Sequence, residues 1–187
     1  MGYDKQVITD FLIKNNFDNL LADQVECVYQ SDYAVTDEKI RALYTESLAT
    51  CIALYAICDD FAFLAHIELG SLSDDFEHEK IGIRYYVTWC NTITELLTQI
   101  NIRKDEIKSP INIGTILGTV PVDENNIYRQ KIEQGISILE SQCAEMNIDV
   151  NRVPNNLSKF VFIDHNTKKL MIQTETIDFS SAVNKSK

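Results

Sequence analysis

Two short apolar runs, CIALYAI over residues 51–57 and FAFLAHIEL over 61–69, flank the tripeptide CDD. Runs of this length broken by a polar turn predict a β-hairpin. Successive strand residues point to opposite faces. The second run therefore puts Phe61, Phe63, Ala65 and Ile67 on one face, and Ala62, Leu64, His66 and Glu68 on a more polar one. The hairpin also carries Cys51 and His66, a thiol and an imidazole. Facing positions on paired strands lie about 5 Å apart, so the two can meet.

The flanking sequence has a different period. Tyr86, Trp89, Cys90, Ile93, Leu96, Leu97 and Ile100 recur at three-to-four spacing and predict a long amphipathic helix. Tyr128, Ile132, Ile136, Leu139, Cys143 and Met146 predict a second, with Asp123 as its N-cap. Between them INIGTILG reads as a buried strand that ends at Gly118 and is closed by Pro121. Near the end, KFVFIDHNTKKLMIQTE reads as a hairpin turning at Asp164 to Asn166. Residues 4–22 show helical spacing interrupted at KNN, and the final SSAVNKSK reads as a frayed tail. The expectation is an α+β fold: a layered sandwich of mixed or antiparallel sheets with two long helices packed on one side. An N-terminal helical extension over 1–30 precedes the main domain at 31–175, and 176–187 form the tail.

With 187 residues the chain can bury a core without disulfides or metals. Its formal net charge of −11 argues against a nucleic-acid grip, which needs a basic stripe. No run of 18 apolar residues predicts a membrane span. The five cysteines, at 27, 51, 58, 90 and 143, are odd in number and form no CxxC. The start has no apolar leader, so they read as reduced thiols in a cytoplasmic protein. An effector exported without a cleavable leader would look the same.

A thiol of pKa about 8.5 is only a few per cent thiolate at neutral pH. A neighbouring imidazole takes its proton, and a third group then fixes the imidazole's tautomer and orientation. Thr45 is a candidate for that third role: its hydroxyl, or a nearby carbonyl, can accept a hydrogen bond from the far ring nitrogen. The bland alternative is that Cys51 is a small core hydrophobe and His66 a satisfied strand histidine. By the same standard Cys90 and Cys143 read as core and Cys58 as structural, while Cys27 is unplaced. His78 reads as a solvated or capping residue, and His165 belongs to the last turn. The pairs Asp59–Asp60 and Asp74–Asp75 read as exposed turns. Tyr85, Tyr86 and Trp89 read as core.

The segments YAV (33–35), Thr45, LATC (48–51) and AHIEL (65–69) resemble the active-site region of the CheD family of chemoreceptor glutamine deamidases. That family has a Y-A-V start, a Thr six residues before an L-G-S-C cysteine, and an A-H-x-x-L histidine strand. The helix, strand, helix and closing hairpin that follow keep the family's order, so the resemblance spans about residues 31–175. The wider superfamily includes toxins of the cytotoxic necrotizing factor type.

The resemblance implies a protein-glutamine deamidase with Cys51 as nucleophile, His66 as base and Thr45 as the orienting group. It implies no cofactor or metal. The partner is a protein with an accessible Gln, either a chemotaxis receptor or a host protein targeted by an effector. Ala49 and Thr50 stand where the family has Gly and Ser, and NRVPNNLSK replaces a glycine-rich, arginine-containing segment. Those changes suit the alternative, a catalytically inactive CheD-like module that binds a regulatory partner. A third outcome, transglutaminase or protease chemistry, uses the same thioester with another acceptor.

Overall fold

The computed structural model describes residues 5–48, 51–68, 78–105, 107–118, 127–152, 160–172 and 175–178. Helix α1 (Lys5–Lys14) is followed by a 3-10 turn at Ala22–Gln24 and then by strands β1 (Val25–Cys27), β2 (Asp32–Val35), β3 (Ala42–Glu46), β4 (Ile52–Ile57) and β5 (Ala62–Ile67). Helix α2 (His78–Arg103), strand β6 (Asn112–Leu117) and helix α3 (Ile127–Glu145) come next. The chain then adds β7 (Val150–Arg152), β8 (Phe160–Asp164), β9 (Lys169–Ile172) and β10 (Glu175–Asp178). The expected hairpins at β4–β5 and β8–β9, the two long helices and the intervening strand are all present.

The strands form two mixed sheets. One runs β1-β3-β8-β9-β10 and the other β2-β5-β4-β6-β7. Pairing is antiparallel except for β1 with β3 and β6 with β7, which are parallel. The layering follows from period-two alternation. Ile52, Leu54, Ala56, Phe63, Ala65 and Ile67 bury one face of the second sheet against Trp89, Ile93 and Leu96 of α2 and Ile132, Ile136 and Leu139 of α3. Its other face, with Ala53, Tyr55, Ala62 and Leu64, packs on Leu43, Val161, Ile163, Leu170 and Ile172 of the first sheet. The outer face of that first sheet is closed by Ile8 and Leu12 of α1, with Phe17, over Ala42, Tyr44 and Phe162. The order of layers is helix, sheet, sheet, helix pair, an α+β fold.

Four findings differ from the sequence reading, the first being that Glu175–Asp178, expected to open the tail at 176–187, pairs antiparallel with β9 as β10. The face of β5 carrying Ala62, Leu64 and His66 is not polar: it lies in the core between the sheets, and every residue from Ala62 to Ile67 is buried. A strand at the centre of a two-sheet sandwich has both faces covered, so its polar member is enclosed rather than solvated. Helix α1 stops at Lys14, where KNN breaks the helical spacing, the next helical element is only the 3-10 turn at Ala22–Gln24, and Val25–Cys27, expected within the helical extension, forms an edge strand. Cys90 is half-buried at the flank of α2 rather than in the core.

Two glycines mark close approaches. At Gly114 of β6 a Cβ would sit 2.5 Å from the Tyr55 hydroxyl and 2.6 Å from the Asn151 carbonyl oxygen. At Gly135 of α3 it would sit 2.6 Å from the Trp89 ring. Trp89 has no exposed surface, so the glycine is what lets the α2 indole lie against α3. Asp123, Asp74, Asp75, Pro121, Ala49, Thr50 and residues 153–159 lie outside the described residues, as do the side chains of His78, Tyr85, Tyr86 and Tyr128.

Candidate functional site

Alternation on β3 decides what Thr45 touches. Ala42 and Tyr44 face α1, whereas Leu43 and Thr45 face the second sheet. Across that gap, β5 presents His66, paired with Ala53 of β4. Thr45 Oγ1 lies 2.8 Å from His66 Nδ1 and 2.8 Å from the Val28 carbonyl oxygen. These two contacts set the protons. A carbonyl only accepts, so the single hydroxyl proton goes to Val28 and the hydroxyl lone pair accepts from Nδ1–H. The imidazole is therefore the Nδ1–H tautomer, and Nε2 carries the lone pair. Nε2 is buried and accepts no hydrogen bond from any described residue.

Cys51 immediately precedes β4 and remains in its ladder, because Gly118 N donates to Cys51 O at 2.9 Å. With Ile52 opposite Ile67 and Ala53 opposite His66, Cys51 shares a face with Ala53 and lies diagonal to His66. Such diagonal neighbours are about 7 Å apart at the backbone, within reach of longer side chains. The thiol packs in the inter-sheet core with 3% of the residue exposed, and His66 is 2% exposed. Gln30, exposed itself, extends its side-chain amide over the thiol, with Nε2 donating to Cys51 Sγ at 3.9 Å.

Burial dominates the electrostatics. It holds the His66 imidazole down to about 4, because the charged form loses its hydration. At neutral pH the ring is uncharged and free to accept a proton at Nε2. Burial works the other way on acidic thiols. Cys143 is pushed up to about 11 by burial, and Cys27 to about 11 by burial and by the carboxylates of Glu26 and Glu46. Burial likewise raises the Cys58 thiol, which donates to Phe61 O at 3.5 Å. These three thiols are held in the unreactive form.

The remaining candidates have structural roles. Asp59 and Asp60 are exposed at the β4–β5 turn, and Asp59 forms an ion pair with Lys168. His165 lies in the β8–β9 turn and its Nε2 donates to the Asp59 carbonyl at 3.1 Å, tying the two hairpins together. Asp164 is fully buried and accepts from Asn166 N, Thr167 N and Thr167 Oγ1, which fixes the last turn. A cleft of about 310 Å³ between α1 and β1, walled by Lys5, Glu26, Cys27 and Tyr29 among others, contains none of Thr45, Cys51 and His66. Among the described residues no group of three or more His, Cys, Asp or Glu is placed to hold a metal ion. No described helix is long and apolar enough to cross a membrane.

Thr45 and His66, separated in sequence, thus meet through a hydrogen bond at one end of the inter-sheet core, and the backbone register sets Cys51 diagonal to His66 on the same face, with no hydrogen bond joining Cys51 Sγ to His66 Nε2. Val28, Gln30 and Ser31 join them there. The sequence offered no signal for those three, since a valine, an exposed glutamine and a serine in a connecting loop carry no recognisable spacing. The chain matches no family model and no curated protein.

Proposed function

We propose that the chain is a cysteine-dependent amidohydrolase that deamidates glutamine side chains of another protein. The observation that carries this reading is the Thr45 hydroxyl, which bridges Val28 O and His66 Nδ1 and leaves the buried Nε2 as a free base on the face that bears Cys51. A histidine serving only as core filler has no need of one satisfied nitrogen and one open one, because a buried polar atom without a partner costs about 1–3 kcal/mol.

In the reaction, His66 Nε2 accepts the Cys51 proton as Sγ attacks the glutamine carboxamide carbon. The C–N bond then breaks, the imidazolium proton leaves with ammonia, and a thioester remains. Water next gives a proton to Nε2 while its oxygen attacks the thioester. The C–S bond breaks, the proton returns to sulfur, and the substrate glutamine has become glutamate. All five cysteines are free thiols. That supports work in a reducing compartment, the bacterial cytoplasm or a host cytosol reached by an exported effector.

The test uses benzyloxycarbonyl-Gln-Gly as a minimal substrate, reading ammonia release and the Gln-to-Glu mass change. Wild type is expected to produce both, and Cys51→Ser neither. The 3% exposure of Cys51 favours a second reading, a CheD-like binding module with an inert cysteine. Equal background from wild type and Cys51→Ser would select that reading.

A further inference from the structure

The segment Val28–Ser31 crosses from the first sheet to the second and touches each of the three site residues. Val28 O accepts from Thr45 Oγ1 at 2.8 Å, the Gln30 amide donates to Cys51 Sγ at 3.9 Å, and Ser31 N donates to His66 O at 2.8 Å. The crossing is anchored on both sides. Val28 N donates to Tyr44 O at 2.7 Å, and Asp32 N donates back to Tyr29 O at 3.1 Å. Ser31, next to Gln30, adopts a left-handed φ of 61°.

We propose that Gln30 is a catalytic residue: its side-chain N–H is an oxyanion-hole donor for carbonyl substrates attacked by Cys51. The proposal rests on the reading of Cys51 as the nucleophile. When sulfur adds to a carbonyl, the C=O π pair moves onto oxygen, which becomes negative two bonds from Sγ and within roughly 3 Å of it. A donor nitrogen 3.9 Å from Sγ can then stand about 3 Å from that oxygen, the separation an oxyanion donor needs. Gln30 is exposed whereas Cys51 is enclosed, so the Gln30 side chain links the thiol to the surface. An uncharged donor suits this place. It stabilises charge that appears only in the transition state, and leaves the resting thiol less perturbed than a cation would.

Two reagents separate this role from simple contact. Iodoacetamide alkylates sulfur by displacing iodide from a CH₂ carbon, with no oxyanion formed. p-Nitrophenyl acetate acylates sulfur through a tetrahedral oxyanion that expels p-nitrophenolate. Gln30→Ala and Gln30→Glu are expected to slow acetylation of Cys51 about 100-fold, the loss typical of one oxyanion donor, and to change alkylation by less than about threefold. Equal slowing of both reactions would assign Gln30 to the thiolate and overturn the proposal. So would no change in either. If wild-type Cys51 reacts with neither reagent, the nucleophile reading falls and takes this proposal with it. A reactive wild type with unchanged variants removes the role of Gln30 alone.

Discussion

Thr45→Val is expected to slow acylation of Cys51 by about 100-fold while leaving the shape of the site nearly unchanged, since valine replaces only the hydroxyl. The hydroxyl is the group that holds His66 with its proton on Nδ1. Without it, a buried Nδ1–H would face a methyl group, at about 1–3 kcal/mol. With no acceptor left at Nδ1 the preference for the Nδ1–H tautomer is lost, and whenever the proton sits on Nε2 that nitrogen cannot act as the proposed base. The loss should be smaller than that seen when the buried carboxylate of a serine-protease triad becomes an amide, about 10⁴, because Thr45 is neutral. The Val28 carbonyl also loses its partner, so stability should fall by about 2 kcal/mol. Thr45→Ser, which keeps the oxygen, should retain most of the rate. Acetylation kinetics with p-nitrophenyl acetate measure the first effect. Imidazole ¹⁵N shifts of His66 read the tautomer directly, and a shift unchanged in Thr45→Val would refute the assignment.

The second large effect is on acid stability. His66 is held to about 4 in the folded chain, against about 6.5 for an unperturbed imidazole. Between those values the unfolded chain binds the proton and the folded chain does not, so unfolding is favoured as pH falls. The contribution of His66 to stability is therefore fully present above about pH 6.5 and is lost as pH drops toward 4. It amounts to about 2–3 kcal/mol once the folded ring is forced to ionise. Burial lowers the His165 imidazole as well, which adds a slope of the same sign. Chemical denaturation of wild type and His66→Gln at pH 7 and pH 4.5 isolates the His66 share, because glutamine does not titrate. Wild type should lose more stability between the two pH values than the variant does. Parallel losses would mean that His66 titrates normally in the folded chain.

The legible parts of the fold were those with long or strongly periodic patterns. Helices α2 and α3 repeat apolar residues over several turns, and β4–β5 alternates around a polar turn, so each is fixed by local periodicity. What could not be read was the partition into sheets. Val25–Cys27, Asp32–Val35 and Val150–Arg152 are three or four residues long and show no usable period, and each finds its place only through a partner distant in sequence. For the same reason His66 looked half-polar. Its neighbours Leu64 and Ala62 are enclosed by β3 and β8, strands whose position over β5 no local pattern encodes. Residue chemistry and the CheD-like spacing single out Thr45, Cys51 and His66 as candidates, and the structure adds the Thr45–His66 hydrogen bond. The orientation of the imidazole depends on the Val28 carbonyl, and a backbone atom leaves no trace in residue type.

The proposed chemistry rests on His66 Nε2 as the base for Cys51. The most direct test is the rate of Cys51 alkylation by iodoacetamide from pH 5 to 8, followed by mass mapping in wild type and His66→Ala, with Cys27, Cys58 and Cys143 as internal standards. Thiol–imidazole and thiolate–imidazolium pairs carry the same number of protons, so their ratio does not change with pH. The predicted wild-type profile at Cys51 is therefore nearly flat across this range. In His66→Ala it should rise about tenfold per pH unit, like an ordinary thiol below its pKa. A wild-type Cys51 that already shows the ordinary slope, or that reacts only when the chain unfolds, would contradict the claim and leave Cys51 as part of the core.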